Sequence, residues 1–255
     1  MTTFTKFIGA CCKYGQKKDG VQFGPETLFK YMHNSNKIRF INNFEQDGYQ
    51  KLSELHTHYL ELGYKPVTIG GDHSISLSTV ASSAKKYRED LTVVWVDAHA
   101  DIHTYDSSIS KNLHGMPLGS LLDYDNIHAP SIINPEQLIY IGLRDVEPHE
   151  TQVINDLGIE NYTCKDLKKN SLDDILTNIY NRSEVIHLSF DVDAIDPIYI
   201  SCTGTTVKDG LSIEEGKKIT NKLSPKIISA DLVEFNPLLS DKEHAMREAF
   251  KIISL

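Results

Sequence analysis

The chain has 255 residues, 40% of them hydrophobic and 24% charged, with a formal net charge of -9. That composition supports a packed core and excludes a disordered or low-complexity protein. Nucleic acid is not an expected partner, because the basic runs KKDG and KDLKK are too short for a phosphate backbone; no apolar run approaches a bilayer span, so no membrane partner is expected either.

An α/β protein of this length commonly remains one unit, so residues 1–255 are expected to form a single domain. The opening MTTFTKFIGACCKYG lacks the basic region and long apolar run of a signal peptide, which makes the cytosol the expected compartment. Cys11, Cys12, Cys164 and Cys202 have neither a disulfide-framework spacing nor a zinc-ribbon spacing and read as reduced thiols.

In chain order, KFIGA, KIRFI, PVTIGG, LTVVWVD, QLIYIGLRD, EVIHLSFDVD and KIISADLVEF read as strands. The stretches YQKLSELHTHYLELG, SLSTVASSAKKYRED, IEEGKKITNKLS and DKEHAMREAFKIISL read as amphipathic helices. Their alternation implies βαβ crossovers and a three-layer αβα fold around a mainly parallel sheet. Two connections, Ile102 to Asn112 and Pro197 to Gly210, are longer than an ordinary loop.

In an open parallel sheet, ligands bind beyond the carboxyl ends of the strands, where neighbouring loops splay apart. Four such ends carry the reactive groups. TIGGDHS supplies His73; WVDAHAD supplies Asp97, His99 and Asp101; LSFDVD supplies Asp191 and Asp193; and DLVEFNP supplies Glu234. Residues two apart on an extended chain point the same way, so each aspartate group can face one point. Taken alone, GGDHS fits a glycine turn into a helix cap with a partly exposed histidine, and SFDVDAIDP fits a capped strand end. DAHAD is harder to explain structurally, because it would leave unpaired charges at the end of an apolar strand.

Together, four carboxylates and two imidazoles suit a pair of divalent cations better than a single zinc, with manganese the first choice. A water shared by two cations loses a proton near neutral pH, so the implied reaction class is metal-assisted hydrolysis. His56 and His58, two apart on a helix, face different directions and are not expected to be ligands.

These motifs, from DGVQFGP to EFNP, resemble the ureohydrolase family, which includes arginase, agmatinase, guanidinobutyrase and formiminoglutamase. The resemblance implies the arginase-like fold and two Mn2+ per subunit. One ion would be held by His73, Asp97, Asp101 and Asp191, the other by Asp97, His99, Asp191 and Asp193. It also implies catalytic roles for Asp101 and His114 in moving protons, and for Glu234 in binding a guanidinium group. The segment SISKNLHGMPLGSLL resembles the substrate loop of arginases, which implies that Ser110 and Asn112 hold the amino-acid end of a small guanidino substrate and that His114 is a proton shuttle; His103 in DAHADIHT, Glu147 and Thr205 would lie nearby. His103 stands where arginases usually carry Asn, and Glu147 where they carry Asp.

L-arginine hydrolysis to L-ornithine and urea is therefore the expected activity. The alternatives are another ureohydrolase substrate, or a non-catalytic scaffold suggested by the altered SCTGTT loop. On family grounds a homo-oligomer, trimer or hexamer, is expected.

Overall fold

The computed structural model describes residues 4–30, 38–124, 131–239, 248–249 and 252. Its strands are β1 (Thr5–Ala10), β2 (Arg39–Ile41), β3 (Lys65–Gly70), β4 (Leu91–Val96), β5 (Leu138–Ile141), β6 (Glu160–Tyr162), β7 (Val185–Asp191) and β8 (Ile227–Val233). They form one sheet in the order β2-β1-β3-β8-β7-β4-β5-β6, and every pairing is parallel.

The helices are α1 (Gly24–Phe29), α2 (Gly48–Glu61), α3 (Ser76–Tyr87), α4 (Pro117–Leu122), α5 (Pro148–Asp156), α6 (Cys164–Leu167), α7 (Leu172–Arg182) and α8 (Ile213–Leu223). Strand β4, LTVVWV, is β-branched and buried on both faces, as a central parallel strand must be. Its alternate residues separate the two sides of the core. Val94 and Val96 pack with Leu28 of α1, Leu176 of α7 and Ile219 of α8, whereas Val93 and Trp95 pack with Val80 of α3, Leu118 of α4 and Ile154 of α5. The result is the expected three-layer arrangement.

Strand β6 has no counterpart among the expected elements, since ENY carries too little apolar character to stand out. The DKEHAMREAFKIISL segment lies outside the described residues except at 248, 249 and 252. Five expected strands are shorter than their sequence runs: β2 begins only at Arg39, and β4 stops at Val96, β5 at Ile141, β7 at Asp191 and β8 at Val233. Local turns cause the early stops after β4, β7 and β5. Asp97 Oδ1 accepts the His99 amide at 2.8 Å, Asp191 Oδ1 accepts the Asp193 amide at 2.8 Å, and Gly142 turns the chain with φ of 101°.

These turns place the motif residues where strand alternation alone would not. The central strands β3, β8, β7 and β4 are consecutive across the sheet, so four distant segments open onto one edge. Close backbone approach fixes that edge. A Cβ on Gly71 would sit 1.8 Å from the Cys12 carbonyl oxygen. Gly71→Ala should therefore lower the unfolding free energy by about 2 kcal/mol or more, whereas Gly204→Ala, with no contact nearer than 3.5 Å, should stay within about 0.5 kcal/mol. Denaturant titration of both variants checks this.

Candidate metal centre and substrate cavity

His73 follows β3 in a short turn capped by Asp72, whose Oδ1 accepts the Ser74 amide at 3.1 Å. The helix-cap reading of GGDHS is thus correct for Asp72, yet His73 is fully buried. Its ring stacks on Trp95 with centroids 4.1 Å apart and planes 10° apart. Around His73 Nδ1 lie Asp101 Oδ2 at 3.0 Å, Asp97 Oδ2 at 3.1 Å and Asp191 Oδ2 at 3.3 Å.

Asp97 and Asp191 divide their oxygens in the same way. Each spends Oδ1 on its own turn and presents Oδ2 to the shared point. The second group centres on His99, whose Nδ1 lies 3.0 Å from Asp193 Oδ2 and 3.5 Å from Asp97 Oδ1. Asp97 therefore belongs to both groups.

The aspartates do not converge by alternation along an extended strand. The residues after β4 form a turn, and Asp101 has φ of 48°, a conformation that side-chain-bearing residues rarely adopt. Glu234, just past β8, has φ of 63°. Strain of this kind clusters at functional sites, where the surrounding contacts hold it in place.

The donor set fits divalent cations. His73 Nδ1 is buried with no hydrogen bond in acceptable geometry, although three carboxylate oxygens lie close to it. Burial first, and then Asp193 and Asp97, push Asp191 well above the usual carboxylate range; burial and Asp97 also push Asp193 up. Repulsion among these carboxylates is what cations would relieve. Imidazole nitrogen with carboxylate oxygen is the ligand chemistry of borderline to hard divalent ions.

The cluster opens into a cavity of about 480 Å3 lined by His99, Asp101, His103, Ser110, His114, Glu147, Asp191, Asp193, Thr205 and Glu234 among others. Of the residues singled out from sequence, Asn112 is not among those lining it. Its amide instead meets Ser110 Oγ at 3.2 Å, which helps shape the loop.

Glu234 is 5% exposed and anchors three segments. Its Oε1 accepts the His73 amide at 2.9 Å and lies 3.1 Å from His114 Nδ1, while Oε2 accepts Gln16 Nε2 at 2.7 Å. Burial opposes its charge, but His114 and the other donors hold its carboxyl below the usual range. The same pair acts on His114: burial would lower its pKa, and Glu234 raises it to about 9.

Two departures from the family pattern, His103 and Glu147, sit together. His103 Nδ1 meets Ser107 Oγ at 3.0 Å, and its buried Nε2 has no hydrogen bond. That nitrogen lies 3.4 Å from Glu147 Oε2 and 3.9 Å from Glu150 Oε1. His149 stacks on the same ring with centroids 5.7 Å apart.

Sequence reasoning missed Asp145 and Glu150, which also line the cavity. Both stand in GLRDVEPHE beside Glu147, and the end of β5 was the signal that could have found them. It also missed Gln16 and Arg144. Arg144 donates to the carbonyls of Gly142, Asp193, Ala194, Val207 and Lys208, and so clamps the long loop that carries Thr205 to the end of β5. His58 is exposed, as expected for a residue that is no ligand. His56 is buried with neither nitrogen partnered, and burial pushes its pKa down to about 3.

The arginase family model matches residues 5–254. The chain is 34% identical to the mitochondrial arginase-2 of Rattus norvegicus over 92% of its own length and 78% of that protein. It is 33% identical to an arginase of Staphylococcus aureus over 96% of its own length and 94% of that protein. Among solved structures, an Entamoeba histolytica arginase in complex with L-ornithine superposes with a TM-score of 0.88 at 30% identity, covering 99% of this chain and 98% of that one.

Divalent cations bound to the cluster should stabilise the fold. At a Mn2+ concentration about 100 times the dissociation constant, each site contributes ~2.7 kcal/mol. The melting temperature should therefore rise by roughly 5–10 °C per occupied site for a chain of this size. Thermal unfolding with Mn2+ and with a chelator checks this, and an Asp97→Ala variant should lose the whole shift.

Proposed function

The chain belongs to the arginase family, hydrolases of guanidino C–N bonds, and from that premise we propose that it hydrolyses L-arginine to L-ornithine and urea with two manganese ions per subunit. One observation carries the reading: a single cavity is lined both by the His and Asp cluster and by a second group of polar side chains, His103, Ser110, Glu147 and Glu150. A substrate with a guanidinium group at one end and an ammonium and a carboxylate at the other matches that lining.

His73, Asp97, Asp101 and Asp191 would hold one ion, and Asp97, His99, Asp191 and Asp193 the other. When bound, the pair supplies a water acidic enough to act as nucleophile near neutral pH, together with positive charge near the reacting carbon. The remaining work falls to the protein.

Glu234, kept ionised by its donors, offers a planar carboxylate to the planar guanidinium, a pairing that can make two parallel N–H bonds. Asp101 is pushed up to about 7, by burial and then by the charge of Asp97, against the opposing pull of His73. From its place in the cavity wall it would accept a proton and release it to a leaving amine. His114 lines the cavity with Nδ1 engaged by Glu234, which leaves Nε2 to exchange protons. Thr205 and Ser110 line the same cavity and would hold substrate there.

A second reading, in which agmatine, guanidinobutyrate or another guanidino compound is the substrate, is favoured by one contact. With His103 Nε2 only 3.4 Å from Glu147 Oε2, the imidazole stands beside the carboxylate that a substrate ammonium would approach. Cytosolic residence and assembly as a homo-oligomer, trimer or hexamer, form part of the primary proposal.

Urea release by Mn2+-loaded protein should be fastest from L-arginine when compared with agmatine and guanidinobutyrate; preference for a compound without the α-carboxylate would reject arginine. Asp191→Ala should lose bound metal and activity together. Glu234→Gln should lower kcat/KM by about 100-fold, the ~3 kcal/mol of a buried charge-assisted contact.

A further inference from the structure

Behind the buried cluster runs a line of hydrogen bonds that the proposed reaction does not use. His73 Nε2 lies 3.0 Å from Ser189 Oγ, Ser189 Oγ lies 3.2 Å from Ser76 Oγ, and Ser76 Oγ lies 3.1 Å from Asp231 Oδ2. The same carboxylate oxygen takes Thr79 Oγ1 at 2.6 Å and His187 Nε2 at 3.1 Å. Every one of these side chains is fully buried.

A carboxylate can only accept, and a hydroxyl has a single proton to give. Burial opposes the charge on Asp231, but His187 and Thr79 hold its carboxyl below the usual range. Ser76 therefore spends its proton on Asp231 and can only accept from Ser189. Ser189 in turn spends its proton on Ser76, so its oxygen can only accept from a protonated His73 Nε2.

We infer that Asp231, acting through Ser76 and Ser189, sets the direction of this line and holds His73 in the tautomer protonated at Nε2. The Nδ1 lone pair is then left facing Asp97, Asp101 and Asp191. Nδ1 is buried within 3.0–3.3 Å of three carboxylate oxygens, so a cation seated among them would take that lone pair. Asp231 and Ser76 touch neither substrate nor cation, so they are positioning residues for one of the two cation sites. The inference rests on the reading of the cluster as a cation centre. Partners that orient a ligating histidine typically contribute about 10- to 100-fold in metal affinity.

The test is Mn2+ binding by chelator competition, with thermal unfolding in parallel, on the wild type and on Ser76→Ala, Asp231→Asn and Thr79→Val. In the wild type two ions should bind. In Ser76→Ala and in Asp231→Asn one ion should weaken by about 10- to 100-fold, while the other, built on His99 and Asp193, keeps its affinity. The double variant should be no weaker than the worse single one, because the residues act in series. Thr79→Val removes a donor from the same carboxylate without interrupting the line, so it should lower stability and leave both affinities unchanged.

If Asp231→Asn does not fold, Ser76→Ala carries the test alone. Unchanged affinity in Ser76→Ala, equal weakening of both ions, or the same weakening in Thr79→Val would overturn the inference. A wild type that takes up no Mn2+ would overturn the cation reading itself, and this inference with it.

Discussion

Four aspartates and a glutamate crowd the ends of three adjacent parallel strands, β8, β7 and β4, and the repulsion among them governs much of the surrounding structure. Like charges a few ångströms apart in a poorly hydrated site cost several kcal/mol unless counter-charge is close. The protein supplies only part of that counter-charge. His73 and His99 face the carboxylates directly, and His114 faces Glu234, yet Asp191 and Asp193 are still pushed upward. A pair of cations would complete the balance, and a structural requirement and the proposed reactive centre would then share the same few atoms.

Rigid neighbours keep the carboxylates in place. Trp95 stacks on His73 and also donates its indole N–H to Asp97 Oδ2 at 3.0 Å, so one aromatic side chain orients two members of the cluster. Arg144 makes no ion pair among the described residues and gives its protons to five carbonyls. Its charge is spent on fixing the loop after Asp193. The N-terminal segment closes the opposite side, with the Gly15 amide on Asp72 Oδ2 at 2.8 Å and Gln16 on Glu234. Segments far apart in the chain thus share one set of restraints, and two residues with positive φ, Asp101 and Glu234, are held at its centre.

The cavity wall away from the His and Asp cluster carries two of the departures, His103 and Glu147. His103, Glu147, Glu150 and His149 form a compact group in which one imidazole faces two carboxylates and stacks on another imidazole. Glu150 also accepts the Glu147 amide at 3.0 Å, so the start of α5 and the cavity wall are built from the same side chain. Under the proposed function, discrimination between guanidino compounds would fall to this group, because the cluster at the other side would meet only the group they share.

The sequence by itself determined the layer architecture, the parallel sheet and the metal-binding inventory. Alternating β-branched runs and amphipathic stretches carry the periodicity of their own elements, and DAHAD and SFDVD place like groups at fixed local spacing. Their convergence does not come from strand alternation: side-chain oxygens of Asp97 and Asp191 turn the chain immediately past β4 and β7, and an extended strand does not continue to Asp101 or Asp193. Only the tertiary structure decided that β8 and β7 lie between β3 and β4, that Gln16 and Arg144 serve the site, and that Asn112 stays off the cavity wall. Strand order and long-range hydrogen bonds depend on pairings across the whole chain, and no local spacing encodes a partner 218 residues away, the separation of Gln16 from Glu234.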